Sequence, residues 1–599
     1  MAVTALRWSS PPVALALGLS ALLRTAPEGI GSLGLVDALP AGLYVALGLL
    51  TAGFLTAVFF APSVDSWLLA GHLAVFAVLL HGAATLVEPL PRFVPAWLHV
   101  GFTDYVARTG GILPELDARF SWPGFFALAA MATRAAGLPD AMPLLGWTPV
   151  VLNLLFGALV FRVARATGQD PRGAWLAAWL FFPTNWVGQD YFAPQGLNFL
   201  FYLVILAILL IWFRLSRIER ARRRGRRPAW LSARRVLRLV GLPAKPMLHE
   251  PEPVTLGGPA RAGLMAVLVL LFTASAASHQ LTPTAILISV AALVVVRRSA
   301  VRALPVLLAV ILVGYVSYLT VAYWSGHLHD IFGSLGRVFH TVDKSVADRV
   351  QGNPGHLLVL RVRQAFAIAV WCLAAAGAWR LMRRRQGDLA LLTLAGAPFL
   401  LLFLQTYGGE VFLRVYTFAL PFMVVLIVAL LVPAWPAGRL VLAAALAGLL
   451  TIAFTGAFLL ARYGNESFEQ VRPADLRAVE WLYDNTTPGV TFVAITSNVP
   501  WRSRDLEQYQ YTPLGEDLGP NSVTAIQAAM EANPRGAYLI MTEGQYVFGE
   551  VFLGKPRGWG PAIEREVVGS GLFRQVYDRD GAKIFILAPT GRGGGGSHG

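Results

Sequence analysis

The sequence predicts a polytopic α-helical membrane protein, with about 13 transmembrane helices and a small α/β domain outside the membrane at its end. Three observations predict it. Of 599 residues, 56% are hydrophobic and only 14% charged, where soluble domains carry about a quarter charged. Long apolar stretches recur along the chain, and mean hydropathy is +0.58. From residue 463 onward the composition changes to that of a soluble domain, with eleven Lys or Arg against sixteen Asp or Glu by residue 588.

The apolar stretches fall near 8–24, 38–61, 66–87, 148–165, 173–188, 195–214, 261–277, 281–296, 302–323, 363–381, 388–405, 411–432 and 437–461. Each approaches the roughly 17–25 residues needed to cross a hydrocarbon core. The first and fifth are short and interrupted by polar residues or proline. The first follows Arg7 and reads as a retained anchor, because no small-residue cleavage site precedes the next span.

Threading these segments with the N-terminus in the cytoplasm sorts the connectors by charge. The inner ones hold Arg162, Arg165 and Arg172, the 214–245 run, Arg297, Arg298 and Arg302, Arg380 and Arg383–Arg385, and Arg439. That is the positive-inside pattern, and it predicts a multi-pass plasma-membrane protein with its C-terminal domain extracytoplasmic. The 214–245 run holds twelve Lys or Arg against one Glu and reads as a juxtamembrane surface for anionic lipids. Within it, 230–240 has the pattern of an interfacial helix. With no soluble basic domain to hold a duplex, a nucleic-acid partner is excluded. The lone Cys372 excludes an internal disulfide or a cysteine metal site.

The expected domains are therefore 1–462, with long outer loops at 88–147 and 324–362, then 463–590, then a Gly-rich tail at 591–599. A membrane-parallel helix is expected at 122–138. In the outer domain, 475–485 reads as a helix, 490–496 as a strand, 523–533 as a helix and 536–542 as a strand. A helix near 561–570 leads to a hairpin of 572–578 and 582–588 around Arg579-Asp580-Gly581.

The chemically equipped clusters all fall on the outer side. FTDYVAR (102–108) carries Asp104, read either as a general base beside the membrane or as the cap of a helix starting at Tyr105. QDYFAPQ (189–195) carries Asp190, Tyr191 and Gln195 among aromatics. These suit sugar faces, although aromatics also collect at membrane interfaces without a ligand. SHQLTP (278–283) places His279 at a span's outer end, either to hold a phosphate oxygen or to bond a neighbouring carbonyl. YGGEVFLRVY (407–416) sets Glu410 and Arg414 four apart on one helix face, as a structural pair or as a grip on a phosphate. His327, His329 and Asp330 supply at most two or three ligands, so a divalent metal has little support and no other cofactor is implied. No GxSxG, Walker or dinucleotide motif is present.

Taken together, FTDYVARTGGILPELDARFSWPGFFALAAM (102–131) and the paired spans of 148–185 resemble the GT-C superfamily of integral-membrane glycosyltransferases. That group includes protein O-mannosyltransferases and lipid A aminoarabinose transferases. The resemblance covers roughly 88–461 and is one of architecture plus a single loop motif. It implies a polyprenyl-phosphate-linked sugar donor, a glycan, lipid or protein acceptor, and Asp104 as the base of an inverting transfer. Arg414, with His279, would then stabilise the departing phosphate; this role rests on position alone. The chain departs from the family in placing two apparent spans before the helix that leads into the Asp loop. The family's second loop acid has only Glu115 and Asp117 as counterparts. The alternatives of another class are a transporter or flippase, and a polymerase or ligase of lipid-linked glycans.

Overall fold

Caps and prolines set the helix starts. Asp65 Oδ1 accepts from the Trp67 and Leu68 amides, both at 3.1 Å. Asp170 (2.7 Å), Asn353 (2.8 Å) and Asp388 (2.8 Å) likewise satisfy otherwise orphaned first-turn amides. Pro149, Pro171, Pro194 and Pro354 occupy first-turn positions, where a missing N–H costs nothing. The computed structural model describes residues 2–216, 219, 250–324, 352–403, 410–431, 439–515, 518 and 522–589.

The membrane part contains α1 (Ala2–Leu22), α2 (Ala41–Phe59), α3 (Ser66–His81), α4 (Val94–Thr109), α5 (Gly124–Ala135), α6 (Thr148–Ala166), α7 (Pro171–Thr184) and α8 (Pro194–Trp212). There follow α9 (Gly258–Ser278), α10 (Thr282–Val295), α11 (Leu304–Leu319), α12 (Pro354–Arg383), α13 (Leu389–Gly396), α14 (Val411–Leu431) and α15 (Leu440–Tyr463). Among the described residues, seven helices are long and apolar enough to cross a membrane: α2, α6, α8, α9, α12, α14 and α15. The expected count was thirteen. The other six expected segments do form helices, but α3, α7, α10 and α11 have only 14–16 residues. At 1.5 Å per residue, 14 residues reach about 21 Å. The α13 segment continues as a 3₁₀ turn, and α1 carries Arg7, two serines and Pro11-Pro12.

Helix α14 is the hub, with 89% of its apolar window buried against α6, α7, α12, α13 and α15. Gly377 of α12 permits the closest approach: a Cβ there would lie 2.0 Å from the Leu426 carbonyl oxygen of α14.

Charges gather at opposite ends of the bundle. At one end Arg214 donates to Asp388 (2.5 Å) and to the Ala166 carbonyl (3.1 Å), while Arg298 pairs with Glu250 (2.7 Å). Arg214, the first residue of the supposed lipid-facing run, is thus buried in an ion pair. Residues 217, 218 and 220–249 lie outside the described residues, and with them the 230–240 helix. So do His327, His329 and Asp330. Helix α12 begins nine residues before the expected span.

After α15 the chain passes into the C-terminal domain, called the outer domain after its expected side of the membrane: α16 (Pro473–Asn485), β1 (Thr491–Ala494), β2 (Gln510–Pro513), α17 (Ser522–Glu531), β3 (Ala537–Met541), α18 (Glu543–Val551), α19 (Trp559–Gly569), β4 (Phe573–Arg579) and β5 (Ala582–Leu587). The sheet order is β2-β1-β3-β5-β4. Strands β2, β1 and β3 are parallel, and β5 runs antiparallel to β3 and β4. Alternation places Phe492, Ile540 and Ile584 in one core, and Val493, Leu539 and Phe585 in the other. Strand β2 and helix α18 are additions to the expected order. The QYTP segment of β2 is half exposed and lacks an apolar run.

The outer domain rests on α4. Gly101 faces the Arg502 carbonyl so closely that a Cβ would fall 1.9 Å from its oxygen. Gly101→Val should therefore push the 501–507 segment off α4, at a cost of about 1–3 kcal/mol. Limited proteolysis of the detergent-solubilised protein should then release the outer domain faster than from wild type; equal rates would show that this contact does not hold the domains together.

Candidate functional site

The 185–193 loop between α7 and α8 organises the end of the bundle beneath the outer domain. Asp190 is fully buried: Oδ1 accepts from Arg462 Nη2 (2.9 Å), and Oδ2 meets His81 Nδ1 (3.5 Å) and Asn153 Nδ2. Burial alone would raise its pKa. The Arg462 charge and the bond from His81 outweigh that and hold the carboxylate below its ordinary range. Asn153 also accepts from Asn185 (2.8 Å), so one polar chain ties α3, α6 and α15 to the loop.

On the loop's next residues, Gln189 accepts from Arg414 Nη1 (2.5 Å), and Arg414 Nη2 reaches Glu410 (2.8 Å). Tyr191 stacks on His99 (5.8 Å, 12°) and meets Phe93 edge-on. His99 Nδ1 donates to the Phe192 carbonyl (2.9 Å), and burial lowers its pKa to about 4, so the ring is neutral. Gln195 stands at the start of α8, its Oε1 buried with no hydrogen-bond partner among the described residues.

The structure thus brings together the 189–191 residues, Glu410 and Arg414, with His279 near enough to feel the Arg414 charge. His279 Nδ1 accepts from the Leu281 and Thr282 amides (both 3.2 Å) and so caps α10. Burial and then Arg414 lower its pKa to about 3. A neutral imidazole does not protonate a phosphate, and here Nδ1 accepts backbone amides where a bond to a carbonyl was the alternative. Asp104 stands apart. Helix α4 begins at Val94, so Asp104 caps nothing. Its carboxylate pairs with Arg108 (2.8 Å), which also binds Glu507 of the outer domain (3.0 Å).

Two adjoining cavities lie here. The larger, about 630 Å³, opens between α4, α12 and the outer domain; Leu98, Leu360, Arg363 and Glu410 face Asn498, Trp501, Arg502 and Phe552 across it. The smaller, about 100 Å³, lies beneath the loop and is lined by Arg92, Arg363, Arg462, Gln189 and Tyr191 among others. Phe93, Arg363 and Glu469 line both. Asp104 lines neither. Among the described residues, no three His, Cys, Asp or Glu side chains are grouped to hold a metal ion.

Sequence reasoning missed Arg92, Arg363, Arg462 and the acids around them. Arg92 binds Glu466 (2.7 Å) and Glu469, and both Arg92 and Arg462 lie over the Tyr463 ring, at 5.3 and 5.7 Å. The signal was there: Glu88 and Arg92 bracket EPLPR at the lip of a span, and Arg462 is a lone arginine ending another. Compared with protein-family models and with curated proteins, the chain matches none.

Glu88 is buried against this cluster. Burial and the Glu466 charge push its pKa well above the ordinary carboxyl range. Burial raises Glu466 itself to about 7 and Asp475, in the outer domain, to about 6. Acids with raised folded pKa values bind protons more tightly in the native state, so they add stability as pH falls. The buried histidines act oppositely, but only below the unfolded histidine value of about 6.5. Thermal unfolding of the solubilised protein should therefore show stability rising by about 1–3 kcal/mol from pH 8.5 to pH 6.5. Glu88→Gln should flatten that rise, chiefly by stabilising the protein at the alkaline end; an unchanged slope would remove Glu88 as a source of it.

Proposed function

We propose that the chain is a membrane glycosyltransferase that moves a sugar from a polyprenyl-phosphate donor to a hydroxyl of an extracytoplasmic acceptor. The observation that carries this reading is the larger cavity. It lies where the ends of spanning helices meet a soluble domain, so a lipid-anchored donor reaches it from the bilayer and a water-soluble acceptor from outside. Its wall combines aromatic faces (Phe93, Trp501, Phe552), amide and hydroxyl groups (Asn498, Ser497) and a carboxylate, Glu410. Aromatic faces with nearby hydrogen-bonding groups suit a sugar, which presents C–H surfaces and hydroxyls together.

The base is assigned to Glu410, since Asp104 is bracketed by Arg108 outside the cavity. Glu410 is held by Arg414, which Gln189 in turn positions. In the reaction Glu410 takes the proton of the acceptor hydroxyl. The hydroxyl oxygen bonds to the anomeric carbon, and the bond from that carbon to the phosphate oxygen breaks. The electron pair leaves with the phosphate, and the configuration inverts.

The test is label transfer by the purified protein in lipid nanodiscs, using a panel of polyprenyl-phosphate-linked radiolabelled pentoses and hexoses with envelope glycan, lipid and protein fractions as acceptors. Wild type should move label from the lipid to an acceptor fraction. Glu410→Gln should reduce that by about 10²–10⁴-fold, and Asp104→Asn should retain most of it. Translocation of intact donor without cleavage would replace this reading with a flippase, and loss of transfer in Asp104→Asn alone would return the base to the α4 helix.

A further inference from the structure

The small pocket beneath the 185–193 loop holds a feature that its own protein contacts do not explain. Arg462 is buried, and Asp190 occupies only its Nη2. Its Nε and Nη1 are buried with no hydrogen-bond partner among the described residues. A guanidinium presents five N–H donors in a rigid fork, and buried donors of this kind are ordinarily satisfied. Arg462 lines a pocket of about 100 Å³, with Arg92 and Arg363 in the same wall. Arg363 is fixed by donating Nε to the Ala461 carbonyl (2.7 Å), and Arg92 by Glu466. One carboxylate, Glu469, also lines the pocket and is engaged by Arg92.

Two backbone features border the pocket. Gly146 and Pro149, at the N-terminus of the 19-residue α6, stand in the wall, so this helix end faces the pocket. Gly188 takes φ +73°, the left-handed turn that lets the 187–189 backbone curve around the opposite side. Liquid water occupies about 30 Å³ per molecule, so a pocket of about 100 Å³ has room for one tetrahedral oxyanion.

We propose that this pocket is an oxyanion site for a single phosphate group, gripped by Arg462 with Arg363 and Arg92. If the proposed transferase reading holds, the phosphate is the donor's. Because Phe93, Arg363 and Glu469 line both cavities, the linked sugar then projects into the larger one, on the side where Glu410 waits. Arg462 and Arg363 touch the departing phosphate and stabilise the charge it gains.

The experiment uses the full-length solubilised protein and three probes: inorganic phosphate, a short-chain prenyl phosphate and the matching prenyl alcohol. Binding is followed by calorimetry and thermal shift. Prenyl phosphate should bind and the alcohol should not. A response to prenyl phosphate with none to inorganic phosphate names a lipid headgroup as the source; comparable affinity names the free anion. Arg363→Gln and the paired Asp190→Asn/Arg462→Gln each remove part of the grip, and the paired change leaves no buried charge behind. Each should weaken prenyl phosphate binding at least about tenfold with the fold retained, the fold being checked by circular dichroism and gel filtration. Unchanged affinity in both folded variants, or no binding of either phosphate by wild type, overturns the site. If phosphate binding follows the arginines but no sugar is transferred, the site stands and the transferase reading fails. If sugar is transferred at wild-type affinity by both variants, the reverse holds.

Discussion

The buried pair between Asp190 and Arg462 is the constraint on which the outer end of this molecule depends. Two charges at 2% and 3% exposure are expensive to remove from water, and they persist only where the surroundings complete their hydrogen bonds. Asn153 does so for the carboxylate, with His81 Nδ1 3.5 Å away. The result is a fixed 185–193 loop, and most of the site is fixed through it: Gln189 sets Arg414, Arg414 sets Glu410, and Tyr191 with Phe192 holds α4 through His99. The guanidinium is completed only in part. Its Nη2 holds the carboxylate, while Nε and Nη1 have no hydrogen-bond partner among the described residues, in the wall of the smaller cavity.

A second constraint joins the two parts of the chain. Helix α15 ends at Tyr463, and within six residues Glu466 and Glu469 bind Arg92 from the far end of the sequence. Tyr463 lies under both Arg92 and Arg462, so one ring softens the repulsion of two neighbouring cations that the acids offset. The outer domain is therefore positioned at its root by an ion cluster and at its flank by α4, where Gly101 permits backbone contact. The larger cavity belongs to neither part alone.

The helical class, the change at 463 and the central strands of the outer sheet were legible in the sequence because each rests on a local pattern. Apolar runs mark helices, and alternation around Pro488-Gly489 and Asp580-Gly581 marks strands. Helix length was less legible: α7 stops at Thr184, four residues before the expected end of its span at 188. The site was half legible. Glu410 and Arg414 share a helix face by simple periodicity, and their pairing follows. That Arg414 meets Gln189, or that Arg462 meets Asp190 across 272 positions, depends on tertiary packing that no local pattern encodes. Asp104 was legible as a position only, for the same reason: the local pattern is silent on Arg108 linking it to Glu507, 403 positions away.

The two cavities differ in the kind of charge they offer, and the difference has a direction. The smaller is narrow and bordered by three arginines, a helix N-terminus and one carboxylate that is already paired. An anion there exchanges water for fixed donors at low dielectric, where each contact counts for more than it would in bulk solvent. The larger opens toward solvent, and its ionisable wall mixes Arg363 and Arg502 with Glu410 and Glu469. A leaving group that gains negative charge is best served by the first environment. A neutral hydroxyl that must lose a proton is best served by the second, where a carboxylate stands ready and water can reach it. Arg363 and Glu469, common to both walls, lie at the boundary between the two cavities. On the proposed reading, the order of charges along this path is what commits the bond to break on the phosphate side.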